Sequence, residues 1–413
     1  MSTPSLDIDP VATATDQLED WLISNGLAGW DPYDVMGHPL FRRLAGVSQS
    51  GFRPTSIAAR VSHGLLRRSP LGMRRVLGVK REVNAKGVGL LLSAWLRLSA
   101  LGDVNAAKQA VSCTSWLVDN ADDGPWPGVY WGYPFDWNSR VFIPKGTPSA
   151  VVTSTCGQAL LYFALSPVEI PEFSTSLRER ALEAARGAAV FLSTGLNRHD
   201  ESTGSSVLSY TPLDDFRVHN ASLMAGEYLL RCSRVFDEPS WRELALALLN
   251  YTLADQAPDG SFEYWGPGQR IRSDIDNYHT GFVLRSIHAY ELEGAEGARD
   301  ALEAGWAYYR DVFFEPDGRP LNAPGRRLPL NIHSCAEAIL CPATLTDRFP
   351  EALPLAEKAA RWSVTNMANS DGSFAYLMRA NGTLDRTPHL RWGQAWMMRA
   401  LSELRTAQAS RPL

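Results

Sequence analysis

Between Arg272 and Phe282 the chain reads Arg-Ser-Asp-Ile-Asp-Asn-Tyr-His-Thr-Gly-Phe, which sets two carboxylates, an imidazole and a phenol just ahead of a nearly uncharged helical run. Carboxylate next to imidazole is an acid–base pairing, and the start of a helix holds it in place. Asp136 lies between Phe135 and Trp137, an apolar setting that raises a carboxyl pKa and suits a proton donor. An ion pair with Arg140 is the structural alternative. The adjacent acids Asp214 and Asp215 form a third group. Glycoside hydrolysis needs two carboxyl groups about 5–10 Å apart. Asp136 as acid with Asp276 or Asp214 as base would meet that need, assisted by His279. Asp276 meets the requirements of an N-cap equally well, and both roles stay open.

Four of the eight histidines, His219, His279, His333 and His389, stand at or just before the starts of four weakly charged helical runs. They are expected to converge on one mouth. Convergent imidazoles bind zinc or move protons. The local zinc motifs are missing, so no metal or other cofactor is expected. Proton abstraction beside a carbonyl, by His279 or His333, is the chemistry of epimerases, isomerases and lyases.

An aromatic set completes the inventory. Trp131, Tyr133, Trp137, Tyr264, Trp265 and Trp392 suit the C–H faces of sugar rings, and Arg140, Lys145, Arg272 and Arg391 suit hydroxyls or a carboxylate. Tyr210, His219, Asn220 and Tyr278 join the expected substrate wall. Part of the set should instead plug the loops against the scaffold.

The elements that position these residues recur. Weakly charged helices are predicted at Lys86 to Leu98, Thr147 to Leu165, Val218 to Arg231, from the 272–282 stretch onward, Asn331 to Leu345 and Leu390 to Leu404. They alternate with half-polar helices at Thr13 to Asn25, Asp103 to Asn120, Ser174 to Thr194, Pro239 to Gln256, Glu296 to Phe313 and Pro350 to Met367. The half-polar set carries one apolar stripe per helix, which places it outside and the uncharged set inside. Six such pairs make a ring. A weak repeat supports it: Asp259-Gly260-Ser261-Phe262 and Asp371-Gly372-Ser373-Phe374 each follow an outer helix, with looser copies at Asp123-Gly124 and Asp317-Gly318. Inner-to-outer links are short and outer-to-inner links long, so the long ones gather at one end, where binding and catalysis concentrate.

Composition sets the outer limits. The chain has 413 residues, 45% apolar and 21% charged, with a net charge of -5, which argues against a dedicated nucleic-acid binder. The segment 53–81 is locally basic (Arg60, Arg67, Arg68, Arg74, Arg75, Lys80) and is expected to be a solvated face or a dock for an acidic partner or membrane surface. The N-terminus lacks a secretory signal, and the uncharged stretch from Gly146 to Val168 is too polar for a membrane span, so no transmembrane segment and a cytoplasmic location are expected. The five cysteines lack paired metal spacing and are expected to be core thiols. A single all-α domain over 1–413 is predicted, with 1–12 and 405–413 loose and 26–85 a loop and basic helical insertion.

This pattern resembles the (α/α)6 toroid, the six-hairpin glycosidase-like superfamily. Within it, Trp30-Asp31-Pro32-Tyr33-Asp34, Gly132-Tyr133-Pro134-Phe135-Asp136-Trp137, Tyr210-Thr211-Pro212, Val218-His219-Asn220-Ala221 and Tyr278-His279-Thr280-Gly281-Phe282 resemble bacterial proteins of the VpsJ type, linked to surface-polysaccharide biosynthesis. The resemblance covers roughly Trp21 to Leu404 and implies a carbohydrate substrate, without fixing the reaction. The leading expectation is a carbohydrate-active enzyme of glycoside hydrolase type. The alternatives are a sugar or uronate epimerase, isomerase or lyase using histidine, a terpenoid cyclase suggested by Asp274-Ile275-Asp276-Asn277, and a non-catalytic glycan-binding scaffold.

Overall fold

The computed structural model describes residues 9–37, 71–167, 173–202 and 204–410. Helix α1 (Pro10–Asn25) is followed by β1 (Ala28–Gly29), a 3-10 turn (Asp34–Gly37), the short α2 (Leu71–Val76) and β2 (Glu82–Val83), which pairs with β1. Then helices alternate: α3 (Ala85–Ala100), α4 (Val104–Asp119), α5 (Ala150–Leu165), α6 (Thr175–Thr194), α7 (His219–Val235) and α8 (Pro239–Leu253). The series continues with α9 (Asn277–Leu292), α10 (Ala298–Val312), α11 (Ile332–Thr344), α12 (Ala352–Met367) and α13 (Ala395–Ala409), the last entered through a π-helical turn (Leu390–Gln394).

The inner helices α3, α5, α7, α9, α11 and α13 touch in that order, and α13 returns to α3, so the ring closes. Each inner helix packs on the outer helix that follows it, and α13 on α1. The fold is the expected all-α (α/α)6 toroid. Charge explains the layers: α5 carries no ionisable carboxylate or cation and is buried on nearly every face, whereas α10 buries only Ala298, Ala301, Leu302, Gly305, Trp306 and Tyr309. Glycine lets the inner helices approach closely. A Cβ at Gly89 would meet the Cys156 backbone at 3.2 Å, so α3 and α5 lie nearly backbone to backbone there.

The repeated Asp-Gly turns fasten one hairpin to the next. In two copies the aspartate accepts from the backbone amide and hydroxyl two residues on (Ser261, Ser373), and the following Phe262 or Phe374 is buried. Gly260, Gly318 and Gly372 have φ of 89°, 88° and 87°. Each presses on the backbone of the next outer helix: Gly260 on Ala304, Gly318 on Lys358 and Gly372 on Gln17. The Asp123-Gly124 copy does not do this. There Gly128, with φ of 82°, takes the position against Gly187 and Phe191 of α6.

Helix α1 begins at Pro10 and α13 runs to Ala409, so residues 10–12 and 405–409, expected to be loose, are helical. Of the basic segment, 53–70 lies outside the described residues. Arg74 is a correction: it is buried, ion-paired to Asp34 and bonded to the carbonyl of Asp31, and so holds the insertion together instead of facing solvent. Arg75 and Arg81 lie over the Trp30 ring at 5.6 and 5.7 Å. All five cysteines are free and buried. No described helix is long and apolar enough to cross a membrane.

Long outer-to-inner links carry the small strands: β3 (Trp137–Asn138) with β4 (Phe142–Ile143), β5 (Arg198–Asp200) with β6 (Ser206–Leu208), and a three-stranded sheet of β7 (Leu330–Asn331), β8 (Leu377–Met378) and β9 (Leu384–Asp385). In that sheet Asn331, which caps α11, pairs with Leu377 from the next link. The loop layer is thereby braced against the helix starts.

Candidate active site

The starts of the inner helices frame a cavity of about 140 Å³. Its lining follows a rule: the second residue of each inner helix faces it, namely Lys86, Val151, Asn220, Tyr278 and His333, with Arg391 as the second residue of the π turn. His279, one step further along α9, joins them, and Tyr33, Tyr133, Phe135, Trp137, Tyr210, Tyr264, Phe282 and Trp392 close the walls.

The 272–282 stretch performs two tasks through one carboxylate. Asp276 caps α9, its Oδ1 accepting from the His279 backbone amide at 2.9 Å, while its Oδ2 lies 2.7 Å from Nδ1 of the same histidine. A carboxylate only accepts, so Nδ1 carries the proton and Nε2 keeps a lone pair. Tyr264 and Tyr278 flank the imidazole, each with a ring centroid 4.3 Å away. The alternatives of cap and catalytic partner are therefore not exclusive.

His333 is buried in rings: stacked on Tyr278 at 4.5 Å and edge-on to Trp392 at 4.8 Å. Neither of its nitrogens has a hydrogen-bond partner, and burial together with the Lys86 charge holds its pKa well below the usual value, so it is neutral. Asn220 likewise leaves its Oδ1 unpartnered. Buried polar atoms rarely stay unpaired, and several around one cavity mark a place for a polar ligand.

Arg391 lines the cavity but is committed. Its Nε and Nη2 meet the two oxygens of Asp31 at 2.7 and 2.8 Å, both side chains being almost fully buried. The guanidinium also lies 5.2 Å from the Tyr133 ring and 4.9 Å from the Trp392 ring. Trp392 donates its indole N–H to Asn331, Tyr133 stacks on Phe135, and Trp137 packs on Tyr210.

Other expected residues lie elsewhere. Asp214 accepts from the amides of Tyr210, Thr211 and Phe216 and from the Thr211 hydroxyl, closing a turn outside the cavity lining. Asp136 accepts from the Lys145 amide and lines a neighbouring cleft of about 300 Å³, which shares Phe135 and Arg391 with the cavity. Lys145 also borders that cleft, with its ammonium on Glu82 at 2.7 Å. Trp131 is core, its indole donating to the carbonyl of Leu117. Arg140 covers the Trp265 ring at 3.6 Å, Trp265 packs edge-on to Phe216, and Arg272 is exposed. None of Trp131, Arg140, Trp265 and Arg272 lines the cavity.

The expected convergence of four histidines reduces to two. His219 is the first residue of α7, and one residue turns a side chain by about 100°. It therefore points at α8, with Nδ1 at 3.1 Å from the Thr252 hydroxyl and Nε2 at 2.8 Å from Asp255, while burial and Arg270 push its pKa down to about 3. His389 packs edge-on to Tyr376. Among the described residues no cluster of three or more metal-binding side chains occurs.

Sequence reading missed Lys86, Tyr33, Phe135 and Phe282 as cavity residues. The signal for Lys86 was present: it is the cation in the first turn of a helix whose only other charge, Arg97, comes in the last turn, and it stands in the same position as Asn220 and His333.

No family model matches the chain, and no curated protein does. Solved structures match throughout its length. Cellobiose 2-epimerase from Bacillus thermoamylovorans B4167 superposes with a TM-score of 0.60 at 13% identity, over 96% of this chain and 100% of its own. A sugar epimerase from a ruminal bacterium gives 0.60 at 12% identity over 98% and 100%, and a D-mannose isomerase 0.59 at 10% over 99% and 100%. At such identities the likeness establishes the toroid fold alone.

Proposed function

We propose that the cavity binds one sugar unit and moves a proton on the carbon beside its carbonyl, as a sugar epimerase or isomerase does. His279 is the base and Asp276 its positioning partner. One observation carries this reading: the cavity is lined by two imidazoles and, among the described residues, by no carboxylate. Paired-carboxylate hydrolysis needs two acids across the reacting bond, and Asp276 reaches the cavity only through His279.

The chemistry follows from the geometry. Asp276 fixes the Nδ1–H tautomer, so the free Nε2 accepts the proton. The electrons pass to the carbonyl oxygen, giving an enediolate. The His279 imidazolium then returns the proton to carbon, neutral His333 can donate its N–H as a hydrogen bond to the developing oxyanion, and Tyr133, Trp137, Tyr264 and Trp392 offer faces to the ring. A volume of about 140 Å³ suits one ring and is far below the roughly 300–1,000 Å³ of pockets for larger ligands. The matching structures include sugar epimerases and an isomerase and equally hydrolases, such as an unsaturated glucuronyl hydrolase specific for heparin, so they support a sugar ligand without choosing the reaction. A role in surface-polysaccharide metabolism rests on the quoted motifs alone.

A hydrolase reading keeps one observation in its favour. In the neighbouring cleft Asp34 has its pKa raised to about 6, chiefly by burial, and Asp136 lies on the same wall. A hydrocarbon-cyclising toroid is disfavoured by the polar floor, and the Asp274-Ile275-Asp276-Asn277 run serves the helix cap. Incubation of the full chain in D2O with aldoses, ketoses, uronates and oligosaccharides, read by mass and NMR, tests all of these. Deuterium at the carbon beside the carbonyl, lost in His279→Ala, supports the proposal. Gain of one water across a glycosidic bond without exchange favours hydrolysis, an unsaturated product indicates a lyase, and binding without turnover leaves a glycan-binding scaffold.

A further inference from the structure

The cavity floor holds a cation that the protein leaves uncompensated. Lys86 is 4% exposed, yet no hydrogen bond or ion pair reaches its ammonium among the described residues. Its close companions are the rings of Phe282 at 5.8 Å and Trp396 at 5.2 Å. Burying an unpaired ammonium is costly, and cation–π contact recovers only part of the lost hydration.

The groups around it do not cancel the charge. From α9 come Arg285 and His279, from α11 Glu337 and His333, from α5 Cys156, and from the π turn Arg391. Arg285 is paired with Glu337 at 2.7 Å and Arg391 with Asp31, so each couple sums to zero. His333 is neutral, and burial drives the Cys156 thiol well above its ordinary range, so it is neutral too. The Asp276 carboxylate is engaged with His279, and no ion pair joins it to Lys86. What remains is Lys86, seated where the starts of the inner helices gather their partial positive charges. Burial, then Arg391 and Arg285, lower its pKa to about 7, a measure of how poorly the site tolerates the charge without a counter-ion.

The geometry points to the cavity floor as a receptor for an anionic substituent on the sugar, a carboxylate or a phosphate, paired with Lys86. This deepens the sugar-binding reading above and rests on it. A hydroxyl would satisfy a hydrogen bond but leave the charge buried and uncompensated. An anion supplies both, assisted by the helix starts. Because the free amine is only partly protonated near neutrality, anion binding must draw in a proton.

Isothermal titration of the full chain with glucose, galactose, glucuronate, galacturonate, glucose 6-phosphate and galactose 6-phosphate tests this, at pH 7 to 9 in two buffers of different ionisation enthalpy. The expected result is at least tenfold tighter binding of one acid than of its parent sugar. Proton uptake should approach one per site as pH rises, and Lys86→Met, with unchanged circular dichroism, should lose the preference. Preference for the uronates identifies a carboxylate, and preference for the phosphates a phosphate. Parent sugars that bind as tightly as the acids, or acid binding without proton uptake in the unaltered chain, would overturn the inference and leave the sugar reading intact. Absence of binding by all six sugars would overturn both.

Discussion

Asp276 holds His279 at two points, backbone amide and ring, so the residue that starts helix α9 also orients the proposed base. Asp276→Asn separates the roles, because asparagine caps a helix as well as aspartate but lacks the charge that stabilises an imidazolium. Stability should change by less than about 1 kcal/mol, while the exchange rate falls roughly 100-fold or more. Thermal denaturation and deuterium incorporation read the two separately. Parallel loss of both would assign Asp276 to structure alone.

The Asp31–Arg391 pair joins the insertion to the start of the last inner helix and is buried at both ends. Asp31→Ala leaves a buried guanidinium unpaired and should cost about 3–5 kcal/mol. Adding Arg391→Met should restore much of it, since two apolar side chains replace an ion pair at little net cost. A urea double-mutant cycle checks the coupling. Additive losses would mean the pair contributes no mutual stabilisation.

Lys86 gives a pH dependence of definite sign. Its folded pKa of about 7 lies below the ordinary lysine value of 10.5, so the burial penalty is full below pH 7. Between pH 7 and 10.5 the unfolded chain binds the extra proton, and stability rises with pH. Lys86→Met should therefore be more stable than the unaltered protein below pH 7, by about 2–5 kcal/mol at most, and the advantage should vanish toward pH 10.5. Denaturant midpoints across that range decide it. A pH-independent difference would place the amine in water.

Gly260 combines φ of 89° with a Cβ position 2.2 Å from the Ala304 carbonyl oxygen. Gly260→Ala should cost about 2–4 kcal/mol, strain and overlap together. Gly294→Ala is the control: φ is 72° and a Cβ would meet nothing within 4 Å, so about 1 kcal/mol of strain is expected. Equal losses in urea unfolding would show that contact with α10 is unimportant.

The toroid was legible because charge content separates inner from outer helices, and because Asp-Gly-Ser-Phe recurs at matching places. His279, Asp276 and Tyr278 were legible because they adjoin a helix start, and Tyr264 because it lies in a long outer-to-inner link. Histidine register misled: His219 stands one position early and turns toward α8, where its neighbour Asn220 faces the cavity. Asp214 looked like half of a catalytic pair, but four donors in its own turn claim it. Which backbone amides a carboxylate will collect depends on turn geometry, and spacing does not encode that. Lys86 was not singled out because its burial depends on the loop layer closing over the helix start, which spacing does not encode.

Gly372 presses on Gln17, and α1 packs on α12 and α13. Helix α1 thus has its partners more than 300 residues further along the chain. The burial of Leu18 and Leu22 is tied to contacts of very high sequence separation, whose closure entropy is met only when the ring shuts. Packing of neighbouring hairpins needs far shorter loops, so the seam between α1, α12 and α13 is the slowest join of the ring to form.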